Sequence, residues 1–125
     1  MMTGIVTPRR DAILRLTLRD ANGQEQVCDS VVDTGYNGNL TLPPNVIAML
    51  GFNRQRFGHA ILADGSESTF NIYEGIVLWD GQPVTIRIDE LDADSLVGMS
   101  LMYGYELVLS VLDGATFTLR RITNP

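Results

Sequence analysis

Four dipeptides that tolerate positive backbone φ punctuate the chain: Asn22-Gly23, Asp64-Gly65, Asp80-Gly81 and Asp113-Gly114. Such dipeptides close tight hairpins when apolar and polar residues alternate on either side. That alternation is present. Before the first turn Leu14, Leu16 and Leu18 interleave with Arg15, Thr17 and Arg19. After the second, Phe70, Ile72, Glu74, Ile76 and Leu78 fall on one parity, and after the third Val84, Ile86 and Ile88 share a face. Leu107, Leu109 and Val111 precede the fourth turn, and Phe117 and Leu119 follow it. A period of two marks strands with one buried face. The pattern predicts a mostly β fold assembled from hairpins.

Two stretches break the alternation. Pro44 to Leu50 has Pro43-Pro44 at its start, Gly51 just past its end, and apolar Val46, Ile47, Met49 and Leu50 between. Proline in a first turn and glycine after a last one bound a short helix. Met99 to Tyr103, following Leu96-Val97-Gly98, fits a second helical turn. One or two short helices are therefore expected beside the strands.

The chain of 125 residues is the size of one domain with a single core, expected to span residues 1–125. An apolar fraction of 45% with 19% charged residues reads as globular. The net charge of −6, with arginines scattered as in Arg9-Arg10 and Arg120-Arg121, argues against a nucleic-acid partner. No apolar run has the length of a signal peptide or membrane span, so the expected location is the cytoplasm, with no membrane partner. Cys28, the only cysteine, reads as a small buried apolar residue. The acidic run Asp89 to Asp94 lacks the spacing and central glycine of a calcium loop and reads as a solvated loop. No metal or cofactor is expected. His59, the only histidine, has no nucleophile-elbow pattern near it and reads as a strand residue. Trp79 reads as packing at a hairpin end, and Tyr103 and Tyr105 as closing a strand end or touching a partner.

The chemically informative segment is Val31-Val32-Asp33-Thr34-Gly35, which precedes Tyr36-Asn37-Gly38-Asn39 and the apolar Leu40-Thr41-Leu42. It can lift one carboxylate out of a sheet on a tight turn. Hydrolysis of an amide needs an activated water and a polarised carbonyl. Two carboxyls sharing one proton supply both, the ionised one as base and the protonated one as hydrogen-bond donor. Carboxyls about 3 Å apart cannot both ionise comfortably, so their titrations split and belong to the pair. Asp-Thr-Gly occurs once. Only a twofold axis, bringing the same residue from two subunits to one point, completes such a pair.

With Val31-Val32 before Asp33-Thr34-Gly35, a hairpin at Asp64-Gly65 and Leu96-Val97-Gly98 further on, the chain resembles the retropepsin-like aspartic proteases, in particular single-domain bacterial members. The resemblance covers most of residues 11–122. It implies a closed β-barrel of hairpins, an obligate C2 homodimer, and catalysis by paired Asp33 carboxylates on a peptide or protein substrate. Thr34 would lock one loop to its partner's, and the Gly35 amide would donate to the carboxylate. Ala63, Asp64, Gly65 and Ser66 would form the tip of a flap over substrate bound by strand addition. The chain ends, near Ile5 and from Phe117 to Ile122, would interleave between subunits. The sequence departs from the pattern at Tyr36, where a small residue is usual. Asn37 or Asn39 is then the candidate for the hydrogen bond to the outer carboxylate oxygen. It also departs at Met99-Ser100-Leu101, which has no charged or amide side chain, and at the flap tip, which has one glycine. The competing expectation is a non-catalytic dimeric β domain of the same ancestry that binds peptides or partner proteins.

Overall fold

The computed structural model describes residues 1–123; residues 124 and 125, the last of the expected domain, lie outside the described residues. Ten strands and two helices follow one another as β1 (Met2–Val6), β2 (Ala12–Arg19), β3 (Glu25–Val32), β4 (Leu40–Leu42), α1 (Pro44–Leu50), β5 (Arg56–Ile61), β6 (Glu67–Trp79), β7 (Gln82–Glu90), β8 (Leu96–Val97), α2 (Met99–Met102), β9 (Tyr105–Val108) and β10 (Thr116–Arg121). The helices fall where the proline and glycine boundaries place them. Helix α1 begins on Pro43 and Pro44, and the Gly51 amide closes it on the carbonyls of Ile47 and Ala48.

The sheet runs β5-β6-β7-β4-β8-β3-β2-β1-β10-β9, and a second pairing of β6 with β2 joins distant parts of it. The strands β2, β3, β8, β4, β7 and β6 thus form a ring. Most ladders are antiparallel, and those of β1–β2, β2–β3, β5–β6, β6–β7 and β9–β10 are hairpins between consecutive strands. Asp80 and Gly81, at φ 51° and 81°, form a two-residue turn between Trp79 and Gln82. Both central positions of such a turn need positive φ, which glycine adopts freely and aspartate tolerates.

The core fills the ring. Leu14, Leu16 and Leu18 of β2 are buried, as are Leu40 and Leu42 of β4, Ile86 and Ile88 of β7, and Phe117 and Leu119 of β10. Helix α1 closes one side with Ile47 and Leu50. Trp79 packs edge-on against Tyr105, with ring centroids 5.8 Å apart.

Two expectations are corrected. In the second half of β6 the interior face is Tyr73, Gly75, Val77 and Trp79, not Ile76 and Leu78. There β6 lies against β2, and Leu18 opposite Val77 turns the odd positions inward. The second correction concerns β9, which ends at Val108, so Leu109 and Val111 belong to the connection around Asp113-Gly114. The backbone there turns to β1 instead: the Gly114 amide donates to the Val6 carbonyl, and the Val6 amide to that of Ala115, each at 2.9 Å. The chain ends also pair with each other: Met2 to Ile5 run antiparallel to Leu119 to Thr116, and β9 adds to the far side of β10.

Candidate active site

Asp33 stands one residue past the end of β3, and its position follows from how β3 is paired. Strand β8 slots between β3 and β4, parallel to the first and antiparallel to the second. The pairs Val31–Leu96 and Val32–Val97 set its register, and the Asp33 amide extends the ladder to the Val97 carbonyl at 2.9 Å. Two buried contacts fix β8 further. Thr41 Oγ1 accepts from the Leu96 amide at 2.8 Å, and the Ser30 and Ser95 hydroxyls meet at 2.7 Å. The strand motif Leu96-Val97 thus holds the root of the Asp33 turn.

Beyond Asp33 the chain turns tightly. The Gly35 amide donates to Asp33 Oδ1 at 2.8 Å and the Tyr36 amide to the Asp33 carbonyl at 3.2 Å. Asp33 is half-buried, and Thr34 and Gly35 are exposed. The loop then lies across the start of α2. Met99, Ser100 and Gly98 amides donate to the carbonyls of Tyr36, Gly38 and Asn39, and the Ser100 hydroxyl donates to that of Asn37. Gly98 is required by this approach. A Cβ there would lie 2.1 Å from the Gly38 carbonyl oxygen and 2.8 Å from that of Tyr36.

The expected neighbours of the carboxylate are arranged differently. Tyr36 turns away from Asp33, and its hydroxyl donates to Asp89 Oδ2 at 2.7 Å. Asp89 also accepts from Arg87 Nε at 2.8 Å. Among the described residues, neither the Asn37 nor the Asn39 side chain bonds Asp33. Asp89 and Glu90 belong to β7 and not to a solvated loop; Asp89 is buried, and Glu90 accepts from Tyr73 and Asn71, each at 3.0 Å. A register signal existed, because Arg87 and Asp89 continue the alternation of β7 past Ile88.

A cleft of about 300 Å³ opens beneath the β5–β6 hairpin, lined by Tyr36, Thr41, Ala60, Leu62, Ser68, Phe70, Asp89, Glu90, Leu91 and Leu96. The hairpin contributes its stem, Ala60, Leu62, Ser68 and Phe70. Its tip, Ala63, Asp64, Gly65 and Ser66, does not line the cleft. The tip is instead a self-contained turn: Asp64 Oδ1 accepts from the Ser66 hydroxyl and amide, and these bonds hold the Asp64 carboxyl below its usual range. His59 is an exposed strand residue on the same hairpin. No group of His, Cys, Asp and Glu among the described residues is arranged to hold a metal ion, and no helix there is long and apolar enough to cross a membrane.

The chain is similar to the crystal structure of a retropepsin-like aspartic protease from Rickettsia conorii. The TM-score is 0.63 at 16% identity, over 94% of this chain and 87% of that one. This chain has a retropepsin-like fold. No protein-family model matches its sequence, and no curated protein does. In this fold Asp33-Thr34-Gly35 and Leu96-Val97-Gly98 are neighbours, a placement the sequence did not state.

The Tyr36 contact has a measurable consequence at high pH. Burial first, then the Asp89 hydrogen bond, raises the Tyr36 hydroxyl above its ordinary pKa, and burial with Glu90 raises Tyr73. The folded state therefore favours the protonated phenols. Their contribution is complete below about pH 10, the ordinary tyrosine range, and is lost as pH rises through the raised values. The urea midpoint should hold steady from neutrality to about pH 10 and fall above it. Tyr36→Phe should shallow that fall, and an unchanged alkaline slope in the variant would contradict the assignment.

Proposed function

We propose that this chain is an aspartic endopeptidase, a single domain over residues 1–125 with its core at about 11–122. In this reading the ring of strands is a closed barrel, and two chains pair about a twofold axis. Each contributes Asp33, one carboxylate taking a proton from water and the other donating to the scissile carbonyl. Thr34 ties the two turns together, and the Gly35 amide keeps Asp33 Oδ1 accepting. The peptide lies extended beneath the β5–β6 hairpins, with Ala63 to Ser66 closing over it. No cofactor enters, and the cytoplasm is the working compartment.

One observation carries the reading. In a retropepsin-like fold, Asp33 is presented on a turn rooted in β8 by the Asp33–Val97 bond and braced by the Gly35 amide. With β1 and β10 paired within the chain, the surface for a second copy is sought at the free edge of β9 and the exposed Val108, Val111 and Leu112. The competing reading, a peptide-binding dimer without catalysis, draws on Tyr36, whose hydroxyl serves Asp89 instead of Asp33.

Titration with a pepstatin-type inhibitor separates the two. A shared site takes one inhibitor per two chains, and cleavage of an unstructured protein at mildly acidic pH stops at that ratio. One inhibitor per chain, or no cleavage by pure dimer anywhere from about pH 3 to 7, rules the protease out.

A further inference from the structure

We propose that Tyr36 is a positioning residue, tethering the Asp33 turn to β7 through Asp89. The proposal rests on the protease reading for its kinetic consequence and on the geometry alone for the tether. Tyr36 closes the turn with its own backbone: its amide donates to the Asp33 carbonyl at 3.2 Å, and its carbonyl accepts from the Met99 amide at 2.8 Å. From that fixed point the side chain spans to the wall of the cleft formed by β7, where the hydroxyl meets Asp89 Oδ2 at 2.7 Å across 53 residues of sequence.

Both ends of the tether are secured. Asp89, with 13% of its side chain accessible, is held at Oδ1 by Arg87 Nε at 2.8 Å. A hydroxyl donating to an ionised carboxylate is among the stronger and shorter hydrogen bonds. The ring is confined as well. A Cβ on Gly38 would sit 2.2 Å from the Tyr36 hydroxyl oxygen, and one on Gly98 would sit 2.6 Å from Cδ2. The absent side chains at these two glycines form the slot that the ring occupies.

The turn needs such an anchor, because Thr34 and Gly35 are exposed and contribute no packing of their own. Asp33 must meet its twin within tenths of an ångström for a proton to be shared. A displacement of about 1 Å in a catalytic group can cost on the order of 10²-fold in rate. The tether also explains how a large residue is accommodated after Asp-Thr-Gly. Its bulk is stored in the glycine slot, and its hydroxyl is consumed by β7.

Tyr36→Phe tests this, since the ring keeps its slot while the donor is lost. In the dimeric full chain, counted by inhibitor-titrated sites, kcat should fall about 10- to 100-fold with KM unchanged. Amide hydrogen exchange at Gly35, Tyr36 and Met99 should quicken, with the β2–β3 ladder unaffected. A rise in KM at constant kcat would limit Tyr36 to lining the cleft and overturn the proposal, as would exchange indistinguishable from wild type. If wild type cleaves nothing, the protease reading fails, and the exchange measurement still decides the tether. If wild type cleaves and the phenylalanine variant matches it per site, the tether's role fails and the protease reading stands.

Discussion

Asp33→Asn should leave a folded dimer whose peptide cleavage drops by at least about 10³-fold, the loss expected when an acid–base group is removed from a site acting as a unit. The substitution is nearly isosteric. The carbonyl oxygen of the new side chain can still accept from the Gly35 amide, and the backbone amide at this position can still donate to Val97, so the turn keeps both braces. What disappears, on the proposed mechanism, is the shared proton, because an amide neither ionises nor donates as a carboxylic acid does. The symmetric mechanism makes a sharper demand. In a covalently linked pair, one asparagine should cost as much as two, since either removes the couple that activates water. An effect per subunit, with the linked single variant near half activity, would mean that each Asp33 works alone. That would end the shared-site mechanism. Thermal unfolding of Asp33→Asn close to wild type would exclude misfolding as the cause.

The parts of this fold that were legible in the sequence are those that local chemistry decides. Asp80-Gly81 has only one comfortable way to connect two alternating runs, and Pro43-Pro44 with Gly51 leaves α1 little choice of boundaries. The turn at Asp33-Thr34-Gly35 was legible too, since a short carboxylate followed by glycine after two valines ends a strand in a turn that the Gly35 amide closes onto Asp33. The features that were not legible depend on partners far along the chain. The inward face of β6 is chosen by β2, a strand from much earlier in the sequence, where Leu18 meets Val77. Alternation names two faces and leaves open which is covered. Leu109 and Val111 continue the period of β9, yet β1 captures the following backbone and the strand stops. Tyr36 and Asp89 were separately visible as an oversized neighbour of Asp33 and part of an acidic run. Their bond emerges only once β7 lies parallel to β4. The hairpin itself follows from Asp64-Gly65, but the lining of the cleft by its stem residues Ala60, Leu62, Ser68 and Phe70 depends on how β6 and β7 pair.

Gly98→Ala should unfold the site, and with it much of the domain. At most glycines an added methyl meets either space or the flexible end of a side chain. At Gly98 it meets backbone on two sides, 2.1 Å from the Gly38 carbonyl oxygen and 2.8 Å from that of Tyr36, with the Tyr36 ring at 2.6 Å. Neither oxygen can yield alone. The Gly38 carbonyl accepts from Ser100 and the Tyr36 carbonyl from Met99, so relieving the clash breaks the bonds that seat the loop on α2. Overpacking in a rigid setting costs about 1–3 kcal/mol, and each of the two loop–helix hydrogen bonds lost costs about 0.5–1.5 kcal/mol. A loss of about 3 kcal/mol or more is expected, a large share of the roughly 5–15 kcal/mol typical of a domain. Gly23→Ala makes the control: its Cβ meets nothing within 4 Å, and the cost there is the positive φ of 79° alone. Urea unfolding of both variants against wild type decides the matter. Comparable midpoints for the two would mean that the loop and α2 part readily, and the Asp33 turn would then lack the rigid seat that pairing two carboxylates requires.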